Sequence, residues 1–305
     1  MKVLVIGLGS IARKHIMALN VIENDSIIYA LRFKRDTQQE ENIINIFSWT
    51  EVPAKLDFII ISNPTCEHYK TIEKAITFGV PLFIEKPPLM KLLGAAQLLN
   101  KVHSNKVKTY TAFNLRFHPV LNWIKDNIAD KRVLEVQAYC GSFLPEWRRE
   151  KDYRNVYSAK KELGGGVHLD LIHELDYIRW IFGDPISFLS RISSISDLEI
   201  DSPDCAHYWL EYAKMNISVL LNYYRRKPSR TLEIVFSDDI WVADLLSGSI
   251  VDSSDRILFE TEKNITDTYM SQMAYFINCI ENDLPMMNDL EEAFHTLKIC
   301  LNDAS

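Results

Sequence analysis

Val3-Leu4-Val5-Ile6-Gly7-Leu8-Gly9-Ser10-Ile11-Ala12 is the stretch whose reading decides the fold. Four apolar residues in a row suit a strand buried on both faces of a parallel sheet. The turn that follows spells G-x-G-x-x-A, with Ser10 placed to cap a helix whose apolar spacing runs over 11–19. The first glycine, Gly7, permits the tight turn, and the second, Gly9, lets backbone approach a pyrophosphate. The small Ala12 lets helix and strand pack closely, while the helix N-terminus around Ser10 and Ile11 attracts phosphate. The pattern carries weight because it follows a strand and opens a helix. A glycine turn of the same shape that holds no nucleotide is the other reading.

Working outward, strand-like and helix-like segments alternate through the first third. Segments 26–33 and 57–62 read as strands, the second (Asp57-Phe58-Ile59-Ile60-Ile61-Ser62) most clearly, and 68–78 reads as a helix ended by Gly79. Strands follow at 81–84 and 108–113. Such alternation implies right-handed crossovers and a parallel sheet. After His118-Pro119 the pattern changes to a helix over 120–128, a long strand over 133–143 and a polar, aromatic stretch to 163. Three glycines, 164–166, then open an amphipathic helix to 182. From 185 to 259 the chain is mostly β-like (186–195, 205–212, 216–224, 230–236, 240–245), and helices close it over 266–282 and 290–302. The expected class is α/β: an N-terminal Rossmann parallel sheet plus a C-terminal α+β domain with a large, mostly antiparallel open sheet. The expected division is 1–118 for dinucleotide binding and 119–305 for substrate binding and oligomerisation.

Composition narrows the function. The 305 residues are 47% hydrophobic and 25% charged, as in an ordinary globular protein. The net charge of −7 repels a phosphate backbone and argues against nucleic acid as a partner. Five scattered cysteines without a C-x-x-C pair read as free thiols in a reducing compartment. No apolar run approaches a membrane span, and the apolar start is too short for a secretory signal, so a cytoplasmic protein is expected. No cluster of histidines and carboxylates has metal-site spacing, and no metal is expected.

Three segments carry chemistry. The second strand ends Ala30-Leu31-Arg32-Phe33-Lys34-Arg35, with no acid before Asp36. An acid there reads the ribose 2′-OH of NAD, whereas Arg suits a 2′-phosphate, so NADP is favoured over NAD. Solvated surface cations are the alternative. Glu85-Lys86-Pro87 follows a strand at the carboxyl edge where such sheets bind ligands, and Lys86 can engage a substrate hydroxyl there. A surface lysine before a proline turn is the plainer reading. Asp170, His173 and Asp176 recur every third residue after the glycines, near one helix face, where a carboxylate can orient an imidazole suited to moving a proton. A hydrogen-bonded core histidine is the alternative.

Taken together, Gly7 to Ala12, the Asn63-Pro64-Thr65-x-x-His68 stretch, Glu85-Lys86-Pro87, Phe113 to Pro119 and the glycine-led Asp170-x-x-His173 segment resemble the Gfo/Idh/MocA oxidoreductases. The resemblance implies that Asn63 and Pro64 lie beside the cofactor ribose, with His68 in the same motif. It places Glu85 and Lys86 beside the nicotinamide and makes Lys86 and His173 the catalytic pair. Many members carry an Asp four residues before that His; here Leu169 holds that position and Asp170 follows it. The stretch 141–158 resembles a branch found in surface-glycan biosynthesis. Trp147, Arg148, Tyr153, Arg154 and Tyr157 are its candidate substrate contacts, with Asn114, Arg116 and His118 as a further wall. An ordinary loop packed by aromatics is the alternative. The implied activity is NAD(P)-dependent oxidation or reduction at a secondary hydroxyl or ketone of a sugar, cyclitol or nucleotide sugar. Because an apolar sheet face must be covered, a homodimer or homotetramer through the C-terminal sheet is expected. An imine or pyrrole reductase and a non-catalytic cofactor-binding sensor are the rival readings.

Overall fold

A computed structural model describes residues 1–33, 40, 42–262 and 265–303. Lys34, Arg35 and Asp36 of the cationic strand end therefore lie outside the described residues. Contacts divide the chain into two compact units, Met1–Phe113 with Tyr269–His295, and Asn114–Thr268 with Thr296–Ser305. The expected single division at 118/119 does not anticipate that Tyr269–His295 belongs with the first unit.

The first unit is built from β1 (Lys2–Ile6), α1 (Ser10–Ile22), β2 (Ile27–Leu31), β3 (Ile43–Ile46), β4 (Phe58–Ile61), α2 (Thr65–Ala75), β5 (Leu82–Ile84), α3 (Ala95–Ser104) and β6 (Thr109–Thr111). Its sheet runs β3-β2-β1-β4-β5-β6 with every neighbouring pair parallel. The run Val3 to Ile6 and all of β4 are fully buried, as strands covered on both faces must be. Strand order reverses between β1 and β4, so the loops at their carboxyl ends flank the crevice where such sheets take ligands. β3 and α3 were not anticipated. β3 is four residues long and includes Asn45, too little for a period to register.

The second unit contains α4 (Pro119–Asn127), β7 (Val133–Phe143), α5 (Val167–Asp170), α6 (His173–Phe182), β8 (Ser187–Ser193), β9 (Cys205–Glu211), β10 (Asn216–Asn222), β11 (Tyr224–Phe236), β12 (Ile240–Asp244), β13 (Ser249–Val251) and β14 (Ile257–Glu260). Helices α7 (Asp267–Glu281) and α8 (Leu290–Cys300) complete the chain. The eight strands run β14-β13-β12-β11-β7-β10-β9-β8, antiparallel except for β7 with β10. Alternation buries Val136, Ala138, Tyr208, Leu210, Ile217, Val219, Leu232 and Ile234. Among the described residues no helix is long and apolar enough to cross a membrane.

Two expectations fail in this unit. The single helix read up to 182 is broken: α5 ends at Asp170, Leu171 turns to φ −101 and ψ 26, and α6 restarts at His173. The apolar stripe through Val167, Leu171, Leu175 and Ile178 keeps its helical spacing across the break, so periodicity hides it. The wall of Asn114, Arg116 and His118 is also withdrawn, because all three are core residues. Arg116 is 2% exposed and donates from Nε and Nη2 to the two carboxylate oxygens of Asp176 at 2.9 and 2.7 Å. Asn114 donates to Thr268 Oγ1 at 2.5 Å, and His118 Nε2 lies 3.2 Å from the Leu245 carbonyl. Burial, helped by the charge of Arg230, pushes the His118 pKa down to about 4, so its ring is neutral at neutral pH.

Removing one partner of a buried ion pair strands the other charge. Arg116→Met is therefore expected to cost about 3 to 5 kcal/mol of stability in urea unfolding, with Arg116→Met/Asp176→Leu regaining most of it. A single variant as stable as the parent would show that the pair does not hold this region.

Candidate active site

The turn after β1 is shaped by what it must avoid. Gly7 has φ +87, and a Cβ there would stand 2.5 Å from the backbone N and Cα of Asn63. Only glycine lets β1 and β4 approach so closely. Ser62 Oγ fastens the crossing by donating to the Gly7 carbonyl at 2.8 Å. The N-cap is Gly9, one residue before the expected Ser10, and Ser10 is the first residue of α1. No side chain caps this helix, and a Cβ at Gly9 would meet nothing within 4 Å. Ala12 is fully buried against the sheet.

These features fit a dinucleotide. The open space over Gly9 and the uncapped start of α1, at Ser10 and Ile11, suit a pyrophosphate. Asn63 is buried; its Nδ2 donates to Thr71 Oγ1 at 2.8 Å, while its Oδ1 is buried without a hydrogen-bond partner. Such an orphaned acceptor suits a ribose hydroxyl. Pro64, the N-cap of α2, is exposed beside it. Arg32 directly follows β2, half-buried, with Nη1 at 3.4 Å from Asn45 Oδ1.

His68 behaves differently from a ligand contact. It is buried, with Nε2 at 2.9 Å from the Asn63 carbonyl and Nδ1 at 3.1 and 3.2 Å from those of Pro87 and Pro88. Burial holds its pKa below the usual histidine value, although the three carbonyls and Glu85 oppose that shift. Glu85 is buried too. Its Oε1 meets His15 Nε2, and its Oε2 accepts the backbone N–H of Lys86 at 3.1 Å. His15, fully buried on α1, was missed by the sequence reading. The signal was present: a histidine three residues after Ala12 falls on the stripe that must face the sheet. Lys86 itself is half-buried.

In the second unit, His173 is the first residue of α6, and Asp170 the last of α5. The shared helix face read for Asp170, His173 and Asp176 is replaced by separate anchors. Asp170 Oδ2 accepts from Tyr223 at 2.5 Å, while both oxygens of Asp176 accept from Arg116. Glu174, next to His173, accepts from Arg230 Nε at 2.5 Å. The glycine run before α5 serves close backbone packing, because a Cβ at Gly165 would meet the carbonyl oxygens of Tyr157, Ser158 and Lys160.

The substrate candidates of 141–158 part company. Tyr157 donates to the Gly164 carbonyl at 2.8 Å, Tyr153 accepts from the Glu199 backbone at 3.4 Å, and Arg154 is paired with Asp152 and Glu199. Trp147 stays 40% exposed, with Nε1 donating to Ser142 Oγ at 2.8 Å and its ring edge-on to Tyr223. Arg148 beside it is exposed.

Comparison with known proteins bears on both units. Residues 1–113 match the profile of an oxidoreductase family with an NAD-binding Rossmann fold, and 123–240 match the GFO/IDH/MocA C-terminal domain. Inositol 2-dehydrogenase of Rhizobium meliloti is 28% identical over 49% of this chain and 44% of its own. The chain spans 44%, 53% and 40% of the lengths of the first curated relatives it matches. D-glucoside 3-dehydrogenase of Escherichia coli is 25% identical over 96% of this chain and 92% of its own. The fold is shared with UDP-N-acetylglucosamine 3-dehydrogenase GnnA from Acidithiobacillus ferrooxidans, at TM-score 0.80 and 20% identity over 99% and 96% of the two chains. With each unit matched in order to its own half of one architecture, this chain belongs to the Gfo/Idh/MocA family of oxidoreductases.

Proposed function

We propose that the protein is an NAD(P)-dependent dehydrogenase acting on a secondary hydroxyl, or the corresponding ketone, of a sugar, cyclitol or nucleotide sugar. The reading is carried by Lys86, the one residue of 82–89 that escapes burial, following β5 in a sheet whose Gly7 turn fits a dinucleotide. The sugar and cyclitol dehydrogenases among the relatives support the substrate class.

Gly7, Gly9, Ser10, Ile11, Ala12, Asn63 and Pro64 hold the dinucleotide in this reading, and Glu85 shapes the loop beside it. Bound nicotinamide supplies the hydride acceptor. In this reading the imidazole of His173 acts as the general base for the hydroxyl proton, and Lys86 Nζ acts as the donor that stabilises negative charge developing on the substrate oxygen. Asp170, held by Tyr223, backs the His173 turn. Trp147 offers an exposed ring face for a sugar and Arg148 a cation for an acidic group. Leu189 and Trp209, paired across β8 and β9 and 72% and 47% exposed, support a homo-oligomer formed through this sheet. Arg32 favours NADP, since a guanidinium pairs with a 2′-phosphate and the sequence holds no acid from Ile27 to Arg35 to read a ribose hydroxyl.

The test is a panel of sugars, cyclitols and nucleotide sugars, read as absorbance at the reduced-nicotinamide band; no change with any member and either cofactor would sink the proposal. With a turned-over substrate in hand, Lys86→Ala is expected to abolish turnover while cofactor affinity, titrated directly, stays within a few-fold of the parent. Unchanged turnover in the folded variant removes Lys86 from the chemistry. His173→Asn is expected to lower the single-turnover rate by about 10² to 10⁴, the usual contribution of a general base. A lowered melting temperature with an unchanged transient rate would make His173 structural. Arg32→Asp is expected to shift the ratio of dissociation constants towards NAD, and a parent that already binds NAD more tightly contradicts the NADP preference.

A further inference from the structure

The loop that carries Lys86 is fastened on both sides by a buried histidine that the proposed chemistry does not use. On one side, His15 reaches from α1 to Oε1 of Glu85, whose other oxygen holds the Lys86 backbone N–H at 3.1 Å. On the other, His68 reaches from α2 to the carbonyls of Pro87 and Pro88, at 3.1 and 3.2 Å. Both rings therefore converge on four consecutive residues, 85–88. Within 82–89 all residues are buried except Lys86.

Packing alone does not call for either ring. His15 lies on a stripe with Ala12, Ile16 and Leu19 and packs edge-on against Phe83, a place an aliphatic side chain would fill. A buried polar ring costs about 1 to 3 kcal/mol wherever its hydrogen bonds are not made. His15 Nδ1 is buried with no hydrogen-bond partner, so the ring carries that cost for its one contact with Glu85. His68 touches the Asn63 carbonyl with its other nitrogen, at 2.9 Å. The same imidazole thus packs between the turn suited to the ribose and the loop that presents Lys86, with its single N–H donated to one of the two sides.

We propose that His15 and His68 are positioning residues that fix the aim of Lys86 and tie it to the turns at Gly7 and Asn63. The inference rests on the catalytic reading of Lys86 given above. Displacement of a reacting group by about 1 Å can cost about 10²-fold in rate, which is the scale on which such a clamp matters.

Lys86 can be probed without substrate or cofactor. Trace acetylation of the whole protein at pH 8, quantified by peptide mass mapping, gives the labelling of Lys86 relative to the exposed Lys214. In His15→Leu and His68→Leu the loop loses its anchors, and the ratio is expected to rise at least threefold. His15→Gln and His68→Gln, which keep a donor of similar reach, are expected to restore most of the parent value. If the leucine variants do not fold, His15→Asn and His68→Asn, too short for the same acceptors, carry the same test. A ratio that stays at or below the parent value in folded variants overturns the clamp. With a turned-over substrate, the clamp further requires that kcat fall at least tenfold while the KM for cofactor changes less than threefold; a split in the opposite sense makes the two histidines cofactor-site residues. The two layers separate cleanly: a raised ratio alongside full turnover in Lys86→Ala would remove the catalytic reading of Lys86 and leave the histidines as structural anchors only.

Discussion

A Cβ at position 7 would stand 2.5 Å from the backbone of Asn63, and the first unit is arranged around that exclusion. β1 and β4 touch closely at their carboxyl ends, where the sheet reverses its order and leaves a crevice above the glycine turn. The carbonyl of Asn63, held at the same crossing, receives one nitrogen of His68, and the other nitrogen meets the Pro87 and Pro88 carbonyls. From the α1 side, His15 reaches Glu85. The position of Lys86 is thus set by a chain of short contacts that begins where the two strands meet.

The second unit uses buried charge in place of a glycine crossing. Glu174 and Asp176 both lie on α6, and each is matched to a different arginine, Arg230 on β11 and Arg116 in the short turn 114–117. Buried ion pairs add little to stability over an apolar pair of the same size, but they tolerate few alternative arrangements. Two such pairs fix the rotation of α6 about its axis. His173, the first residue of that helix, inherits its orientation from them.

The parallel sheet, the glycine turn and the long strands of the second sheet were legible because each has a period or a turn chemistry of its own. β7 spans the 133–143 read from alternation alone. What stayed hidden has a common cause: these features depend on partners far away in sequence. Arg116 looks like a ligand contact until Asp176, 60 residues on, takes both of its donors. The α5/α6 break leaves the apolar stripe intact, and the early start of β11 is hidden because Arg225 to Lys227 are charged and lie in the irregularity between the Tyr224–Phe143 and Ser229–Gly141 pairs. Glycine was also ambiguous at the second site, since the run at 164–166 suits either a ligand or a backbone neighbour, and at Gly165 a Cβ would meet the carbonyl oxygens of Tyr157, Ser158 and Lys160.

Tyr269–His295 belongs to the first unit although most of the second lies between. Phe276 sets its ring edge-on to Phe58 and Phe83, and along the outer edge of β6 the Thr111 N–H donates to the Asn288 carbonyl at 2.8 Å while Asn288 Nδ2 donates to the Thr111 carbonyl at 2.9 Å. During synthesis on the ribosome, the nascent 1–113 segment emerges with those aromatic faces and that strand edge uncovered, and they stay so until α7 and then Asn288 are made. Edges of this kind invite pairing with other chains. The order of translation therefore makes 1–113 wait for a segment made after most of the second unit, and chaperone demand should be concentrated in that interval.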